Sequence, residues 1–223
     1  MQFINTDDRA YGASALRTRL TTELDAKRRV LWLVSGGSNI EISVAVMNAL
    51  TSEQSKLLSV LLTDERHGVV NHSDSNGAQL LAAGFDHKLA TLIPVLVGDR
   101  DLETTRRSYD HDAIASFAAA ETVIGQFGIG ADGHIAGILP ESSAVHSPEF
   151  VAAYKTEQYD RLTLTSHAIK RLSVAYVFAY GADKFVALER LLNETIPYAE
   201  QPSQILKELP EVYIFNDQIG ATL

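Results

Sequence analysis

The chain alternates short apolar runs with segments of helical periodicity, and this alternation limits the possible folds more than any other feature. The runs are of strand length and most are continuously apolar, as in strands buried on both faces. We predict strands at 30–34, 57–63, 91–95, 121–129, 161–165, 172–180 and 211–215. We predict helices at 7–29, 39–50, 75–83, 101–120 and 182–192, and a less regular stretch after Pro140 up to Asp160. This order predicts a three-layer, Rossmann-like α/β fold with a mainly parallel sheet and helices on both faces.

The composition predicts one domain over residues 1–223 in a reducing compartment. Hydrophobic residues make up 46% of the 223, which is enough for one sizeable core. Cysteine is absent, so disulfides, zinc–thiolate sites and a cysteine nucleophile are excluded. The amino terminus has no basic region followed by an apolar core, and no apolar run approaches the ~18 residues that span a bilayer. We therefore expect a cytoplasmic protein without membrane contact.

The net charge narrows the choice of partner. It is −9 at pH 7, which argues against nucleic acid as the main partner. A small anionic ligand remains compatible, because a pocket with a few fixed cations can bind one locally. The sequence leaves open whether the chain forms a homo-oligomer.

The first candidate site segment follows the predicted strand 30–34 and reads Ser35-Gly36-Gly37-Ser38-Asn39. The two glycines allow backbone N–H groups to point outwards together, and the segment opens a predicted helix. A helix amino terminus attracts anions, which indicates a phosphate-binding loop. The alternative is a tight turn with an ordinary helix cap, since Ser and Asn also favour that position. No Gly-Lys-Ser/Thr follows, so the segment is not a Walker loop.

The second segment, Asp64-Glu65-Arg66, follows the strand predicted at 57–63. Charges at the end of a buried strand are costly unless they meet partners. Arg66 can hold a phosphate or polarise a carbonyl, and Asp64 can accept or relay a proton. The alternative is a structural Asp–Arg pair that fixes the loop. We expect His67 and His72 to be solvated loop residues.

The third segment, residues 127–140, places Asp132 and His134 on a glycine-rich turn after a strand. It matches G-x-G-x-x-G from Gly128 to Gly133, but that fingerprint should open a long helix, and Pro140 prevents one. An imidazole near neutral pH can act as a general base, and Asp132 can orient it. The alternative is a histidine held only by backbone hydrogen bonds.

Lys184 is a further candidate because it opposes the dipole of the helix predicted at 182–192. A bound anion would remove that conflict. The alternative is an ordinary solvated lysine.

In this order, the motifs resemble those of the 6-phosphogluconolactonase family, part of a group that includes glucosamine-6-phosphate isomerase/deaminase. The resemblance covers nearly the whole chain. It implies that the Ser35–Ser38 loop and Lys184 hold the 6-phosphate of a sugar phosphate. It also implies that His134 is the general base, with Asp64, Arg66 and Asp132 close by. The matching segments are SGGS (35–38), DER (64–66), SN (75–76), GIGADGH (128–134), ILP (138–140), RLTLT (161–165) and GADK (181–184).

Two positions separate the lactonases from the isomerases in this resemblance. The isomerases usually carry tyrosine where this chain has Arg66, and a glutamate where it has Leu139. Leucine cannot relay a proton, so the lactonase is favoured. There are also departures from the lactonase pattern: Asn39 replaces a usual threonine, and Lys155 is followed by Thr-Glu instead of two prolines. Arg161 either reaches the phosphate or is exposed on its strand.

We therefore predict hydrolysis of 6-phospho-D-glucono-1,5-lactone to 6-phosphogluconate, a step of the pentose phosphate pathway, without metal or cofactor. The alternatives are a glucosamine-6-phosphate isomerase/deaminase and a non-catalytic sugar-phosphate-binding protein. The predicted catalytic residues are His134, Asp132, Asp64 and Arg66. The predicted substrate-binding residues are Ser35, Gly36, Gly37, Ser38, Asn39, Gly130, Arg161 and Lys184.

Overall fold

A parallel sheet of eight strands forms the centre of the computed structural model, which describes residues 1–222. The strands of the chain are β1 (Gln2–Asn5), β2 (Val30–Val34), β3 (Leu58–Leu62), β4 (Asp64–Arg66), β5 (Thr91–Ile93), β6 (Thr122–Phe127), β7 (Val151–Lys155), β8 (Asp160–Leu164), β9 (Val174–Ala179), β10 (Val212–Asn216) and β11 (Ala221–Thr222). The order in the large sheet is β11-β1-β10-β9-β6-β2-β3-β5, and every neighbouring pair is parallel. Every residue of β2, β6 and β9 is buried, so both faces of the sheet centre are covered. The predicted α/β fold is confirmed.

Helices supply the covering layers. They are α1 (Arg9–Asp25), α2 (Ile40–Ala49), α3 (Ser52–Ser55), α4 (Asn76–Ala82), α5 (Leu102–Ala119), α6 (Ser166–Ile169) and α7 (Phe185–Asn193). Leu16, Leu20 and Leu24, spaced by four, are all buried along α1, as expected of an amphipathic helix. None of the helices in the described residues combines the length and the hydrophobicity that crossing a membrane requires.

The amino-terminal segment differs from its prediction. The first helix was expected from residue 7, but it begins at Arg9 because the Asp8 side chain caps it by accepting from the backbone N–H of Ala10. Before the cap, β1 pairs in parallel with β10, near the other end of the chain. A four-residue strand is too short to show a periodic pattern, and β1 was therefore not predicted.

A second, antiparallel sheet of three strands, in the order β4-β8-β7, was not predicted. The predicted strand at 161–165 corresponds to β8 and lies in this small sheet. The prediction of an irregular stretch up to Asp160 is wrong for β7, which pairs with β8 along its whole length. The sequence of β7, VAAYK, has two alanines and a single β-branched residue, so its strand propensity is low. Its pairing with β8 and the burial of Val151 stabilise it instead.

The topology of the large sheet decides where a site can form. From β2 the chain first builds outwards through β3 to β5, and then returns to the other side of β2 with β6 and β9. In open α/β sheets, ligands bind beside the carboxyl ends of strands at such a reversal. The three predicted site segments and Lys184 follow β2, β3, β6 and β9, which are neighbours in the sheet.

Candidate active site

A cleft of about 260 Å³ lies at the carboxyl ends of these strands. All predicted site residues except Asp132 line it. Asp132 does not line the cleft, but it contacts the ring of His134. The folded chain thus brings together segments that are far apart in sequence. The predicted residues that line the cleft are Ser35, Gly36, Gly37, Ser38, Asn39, Asp64, Arg66, Gly130, His134, Arg161 and Lys184.

The segment after β2 forms a short 3₁₀ turn, Gly37–Asn39, that leads directly into α2. Gly37 has a φ of +65°, a conformation that favours glycine. The Asn39 side chain is buried, and its amide nitrogen would lie 2.9 Å from a Cβ at position 128, so glycine there makes room for it. Gly37 and Ser38 are exposed, and the loop therefore presents the amino-terminal end of a ten-residue helix to the cleft.

The glycine-rich turn after β6 holds the imidazole. The backbone N–H of Gly130 donates to the carbonyl of His134 at 3.0 Å, and Gly133 turns the chain at a φ of +82°. Position 130 must be glycine, because a Cβ there would stand 2.1 Å from His134 Nδ1 and 2.5 Å from Asp132 Oδ1. The turn therefore packs its backbone directly against the Asp132–His134 pair.

Asp132 fixes the orientation of the imidazole. Its Oδ1 lies 2.6 Å from His134 Nδ1 and also accepts the backbone N–H of His134 at 3.1 Å. The hydrogen bond from His134 lowers the pKa of Asp132 to about 2, so the carboxylate stays ionised at neutral pH. An ionised acceptor at Nδ1 favours the tautomer with the proton on Nδ1. The lone pair of Nε2 can then accept a proton from a molecule in the cleft.

Strand β4 divides its three side chains between two environments. Asp64 and Arg66 line the cleft, whereas Glu65 lies against an apolar cavity of about 240 Å³ under α4. This follows from the alternation of side chains along a strand. Asp64 is buried, and its carboxylate accepts from Thr63 Oγ1 at 3.0 Å and from Asn76 Nδ2 at 3.2 Å.

Three cationic side chains, Arg66, Arg161 and Lys184, line the cleft although the chain is acidic overall. The guanidinium groups of Arg66 and Arg161 lie 5.2 and 5.9 Å from the ring centre of Tyr159, which holds them side by side. The Nε atoms of both arginines are buried and have no hydrogen-bond partner within residues 1–222. Lys184 Nζ lies 2.8 Å from Asp183 at the start of α7. Such a group of cations suits an anionic ligand.

Sequence reasoning missed several residues that shape the cleft. Asn76, Phe178 and Tyr180 line it, and Tyr159 supports its arginines. The SN pair at 75–76, one of the motifs shared with the family, is the sequence signal for Asn76. For Tyr159 the sequence carried no signal, since its role depends on the unpredicted hairpin of β7 and β8. His67 and His72 donate through Nε2 to the backbone carbonyls of Arg100 and Arg66, respectively, and do not line the cleft.

The described residues, 1–222, contain no group of three or more His, Asp or Glu side chains placed to hold a metal ion.

Comparison with known proteins identifies the family. The model of the family "Glucosamine-6-phosphate isomerases/6-phosphogluconolactonase" matches residues 9–213. A 6-phosphogluconolactonase of Helicobacter pylori is 29% identical over 160 residues, and the match spans 66% of each chain. The structure of a 6-phosphogluconolactonase from Shewanella baltica superposes with a TM-score of 0.82 at 18% identity, covering 97% of both chains. A monomeric glucosamine-6-phosphate deaminase superposes with a TM-score of 0.79 at 17% identity, again over 97% of both chains. The chain therefore belongs to the glucosamine-6-phosphate isomerase/6-phosphogluconolactonase family.

Proposed function

We propose that the protein hydrolyses 6-phospho-D-glucono-1,5-lactone to 6-phosphogluconate. The observation that carries this proposal is the Asp132–His134 pair, joined at 2.6 Å, in a cleft that also holds Arg66, Arg161 and Lys184. A general base beside a group of cations suits an uncharged reactive carbonyl attached to an anionic anchor. The relatives named as 6-phosphogluconolactonases support the same reaction.

In the proposed reaction, His134 Nε2 removes a proton from water as the oxygen attacks the C1 carbonyl. Proton transfer by a positioned base contributes typically 10²–10⁴-fold to rate. The negative charge that develops on the carbonyl oxygen is stabilised by Arg66 and by backbone N–H groups. The tetrahedral intermediate then breaks the bond between C1 and the ring oxygen, and the imidazolium returns its proton to that oxygen. Asp132 holds the ring and stabilises its cationic form.

Binding of the phosphate positions the ring for attack. We assign this role to the Gly37–Asn39 turn at the start of α2 together with Lys184, with Arg161 as a further cation. An anchored substrate turns the reaction with the base into an effectively intramolecular step. Lys184 keeps its bond to Asp183 until an anion competes for it.

The structure around Leu139 favours the lactonase over the amino-sugar isomerase. Leu139 is half-buried, and its backbone N–H donates to the hydroxyl of Tyr154 at 3.3 Å. Its side chain has no group that can carry a proton, whereas moving protons between sugar carbons needs more than one acid or base. Lactone hydrolysis needs one base and a stabilised oxyanion. Overall fold does not separate the two activities, because the deaminase superposes nearly as well.

The deciding experiment offers both substrates to the purified protein. With freshly prepared phospholactone, we expect hydrolysis well above the spontaneous background. With glucosamine 6-phosphate, we expect no ammonia release. Ammonia release without lactone hydrolysis would replace the proposal with the isomerase/deaminase, and binding of 6-phosphogluconate without any turnover would favour a sugar-phosphate-binding protein.

A further inference from the structure

The side chain of Asn76 is an unexplained feature of the cleft. Asn76 is only 1% exposed and lines the cleft, yet its Oδ1 has no hydrogen-bond partner within the described residues. A buried carbonyl oxygen without a donor is costly, so such a group in a native structure calls for an explanation.

The orientation of the amide follows from its neighbours. Asn76 Nδ2 donates to the backbone carbonyl of Asp64 at 2.9 Å and to Asp64 Oδ2 at 3.2 Å. Turning the amide over would place Oδ1 against two acceptors, which is repulsive. The orphan oxygen is therefore the amide oxygen, and it points away from Asp64.

Glu65 holds the backbone from which this side chain projects. Its carboxylate accepts the backbone N–H groups of Asn76 at 2.7 Å and Gly77 at 2.9 Å, and the hydroxyl of Ser75 at 2.9 Å. Ser75 in turn caps α4 by accepting from Ala78. With its backbone and its amide nitrogen both fixed, Asn76 cannot turn Oδ1 towards another donor without breaking these bonds.

The first glycine of the phosphate loop is fitted to Asn76. A Cβ at position 36 would lie only 2.0 Å from Asn76 Oδ1 and 2.3 Å from its Cγ. Gly36 therefore admits the amide oxygen beside the loop. A phosphate dianion presents only hydrogen-bond acceptors, so the acceptor Asn76 Oδ1 would repel it. We therefore expect the phosphate further along the loop, towards Gly37, Ser38 and Lys184.

We propose that Asn76 Oδ1 accepts a hydrogen bond from a ring hydroxyl of the bound sugar, which makes Asn76 a residue that determines substrate specificity. The inference rests on the proposed function and deepens it. Asp64 and Asn76 together supply hydrogen-bond acceptors for sugar hydroxyls. The cations of the cleft supply donors for the phosphate. A site built to pair a hydroxyl discriminates against an analogue that lacks it, because its own polar group is then left unpaired.

The test compares the phospholactone with its three monodeoxy forms, which lack the hydroxyl on C2, C3 or C4. For wild type, we expect one of them to lose about 5- to 10-fold in kcat/KM, the size of one neutral hydrogen bond. For Asn76→Ala, the same deoxy lactone should lose less than about twofold relative to the full lactone. This loss of discrimination is a coupling between residue and hydroxyl, as in a double-mutant cycle.

Two further variants keep the test decisive. Asn76→Ser is a smaller change with the same expected loss of discrimination, and it serves if Asn76→Ala fails to fold. Gln79→Ala on the same helix removes a bond to the carbonyl of Ser73 outside the cleft, and should keep the wild-type discrimination. Equal losses on all four lactones in the Asn76 variants would show a purely structural role and overturn the inference.

Failure of the proposed function is distinguishable. If wild type does not hydrolyse the lactone, calorimetric binding of 6-phosphogluconate and its deoxy forms replaces turnover, with the same coupling expected in Kd. Binding with that coupling would refute the reaction and keep the hydroxyl site. Binding without coupling, or no binding at all, would refute the hydroxyl site.

Discussion

Two carboxylates near the cleft, Asp132 against the His134 ring and Glu65 beside the start of α4, differ in almost every physical respect. The Asp132 side chain is 50% exposed and bonds to one titratable ring, and that hydrogen bond lowers its pKa to about 2. Glu65 is 2% exposed, and burial raises its pKa, while four hydrogen bonds from its surroundings oppose the shift.

The difference shows how environment divides roles between like groups. The Glu65 carboxylate accepts hydrogen bonds from Ser75, Asn76 and Gly77, and these bonds fix the start of α4 and the backbone of Asn76. Asp132 instead accepts a hydrogen bond from His134 Nδ1, and His134 Nε2 remains available to the substrate. We therefore expect changes at the Asp132–His134 pair to reduce turnover, and changes at Glu65 to reduce stability.

The largest effect is expected for His134→Ala. We predict that kcat for the phospholactone falls by at least about 10²-fold, because the general base is lost. Binding of 6-phosphogluconate, measured by calorimetry, should change little. His111→Ala, at an exposed position outside the cleft, is the matched control and should turn over like wild type. Near-normal turnover by His134→Ala would remove the imidazole from the mechanism.

Asp132→Asn should give the second largest effect. The amide keeps the shape but not the charge that stabilises the imidazolium, and it no longer enforces the Nδ1–H tautomer. We predict a fall of about tenfold or more in kcat, with a loss below about 1 kcal/mol in the free energy of unfolding at neutral pH. A variant that is fully active would show that the 2.6 Å contact is only structural.

Glu65→Gln should reverse this pattern. In the variant, an amide nitrogen replaces one of the two carboxylate oxygens and faces N–H or O–H donors that it cannot accept from. We therefore predict a loss of about 1–3 kcal/mol in the free energy of unfolding at pH 7. The kcat of the folded fraction should fall only a few-fold, through Asn76. Glu41→Gln, in the exposed first turn of α2, is the control, with an expected change below about 0.5 kcal/mol. Lost turnover at unchanged stability would contradict the division of roles.

The smallest effect concerns the pH dependence of stability. Because the pKa of Asp132 falls from 3.8 to about 2 on folding, its ionised form stabilises the native state above about pH 3.8. That contribution is lost as pH falls through 2. Screening at a half-exposed site keeps it below about 1 kcal/mol. Urea unfolding of wild type and Asp132→Asn between pH 6 and pH 2 should show a difference that shrinks with acid; a constant difference would contradict the assigned shift.

The sequence revealed those parts of the molecule whose signal is local. Continuous apolar runs marked the central strands, and the polar segments after them marked the carboxyl edge, since parallel strands end together. What the sequence did not reveal depends on distant pairing: β1 needs β10, and β7 needs β8. Tyr159 lies against Arg66 only because β4 pairs with the distant strand β8, so no spacing rule could place it. For Asn76 the shared SN motif was a signal, but its bond to the carbonyl of Asp64 was not predictable from spacing.

The proposed mechanism depends on one orientation of the substrate: the phosphate lies at the start of α2 and the reacting carbon beside the imidazole. A crystal structure with bound 6-phosphogluconate tests it directly. We predict the phosphate against the backbone of Gly37 and Ser38 and the ammonium of Lys184, and the C1 carboxylate within hydrogen-bond reach of His134 Nε2, directly or through one water. A phosphate bound beside His134, or a product bound outside the cleft, would contradict the account.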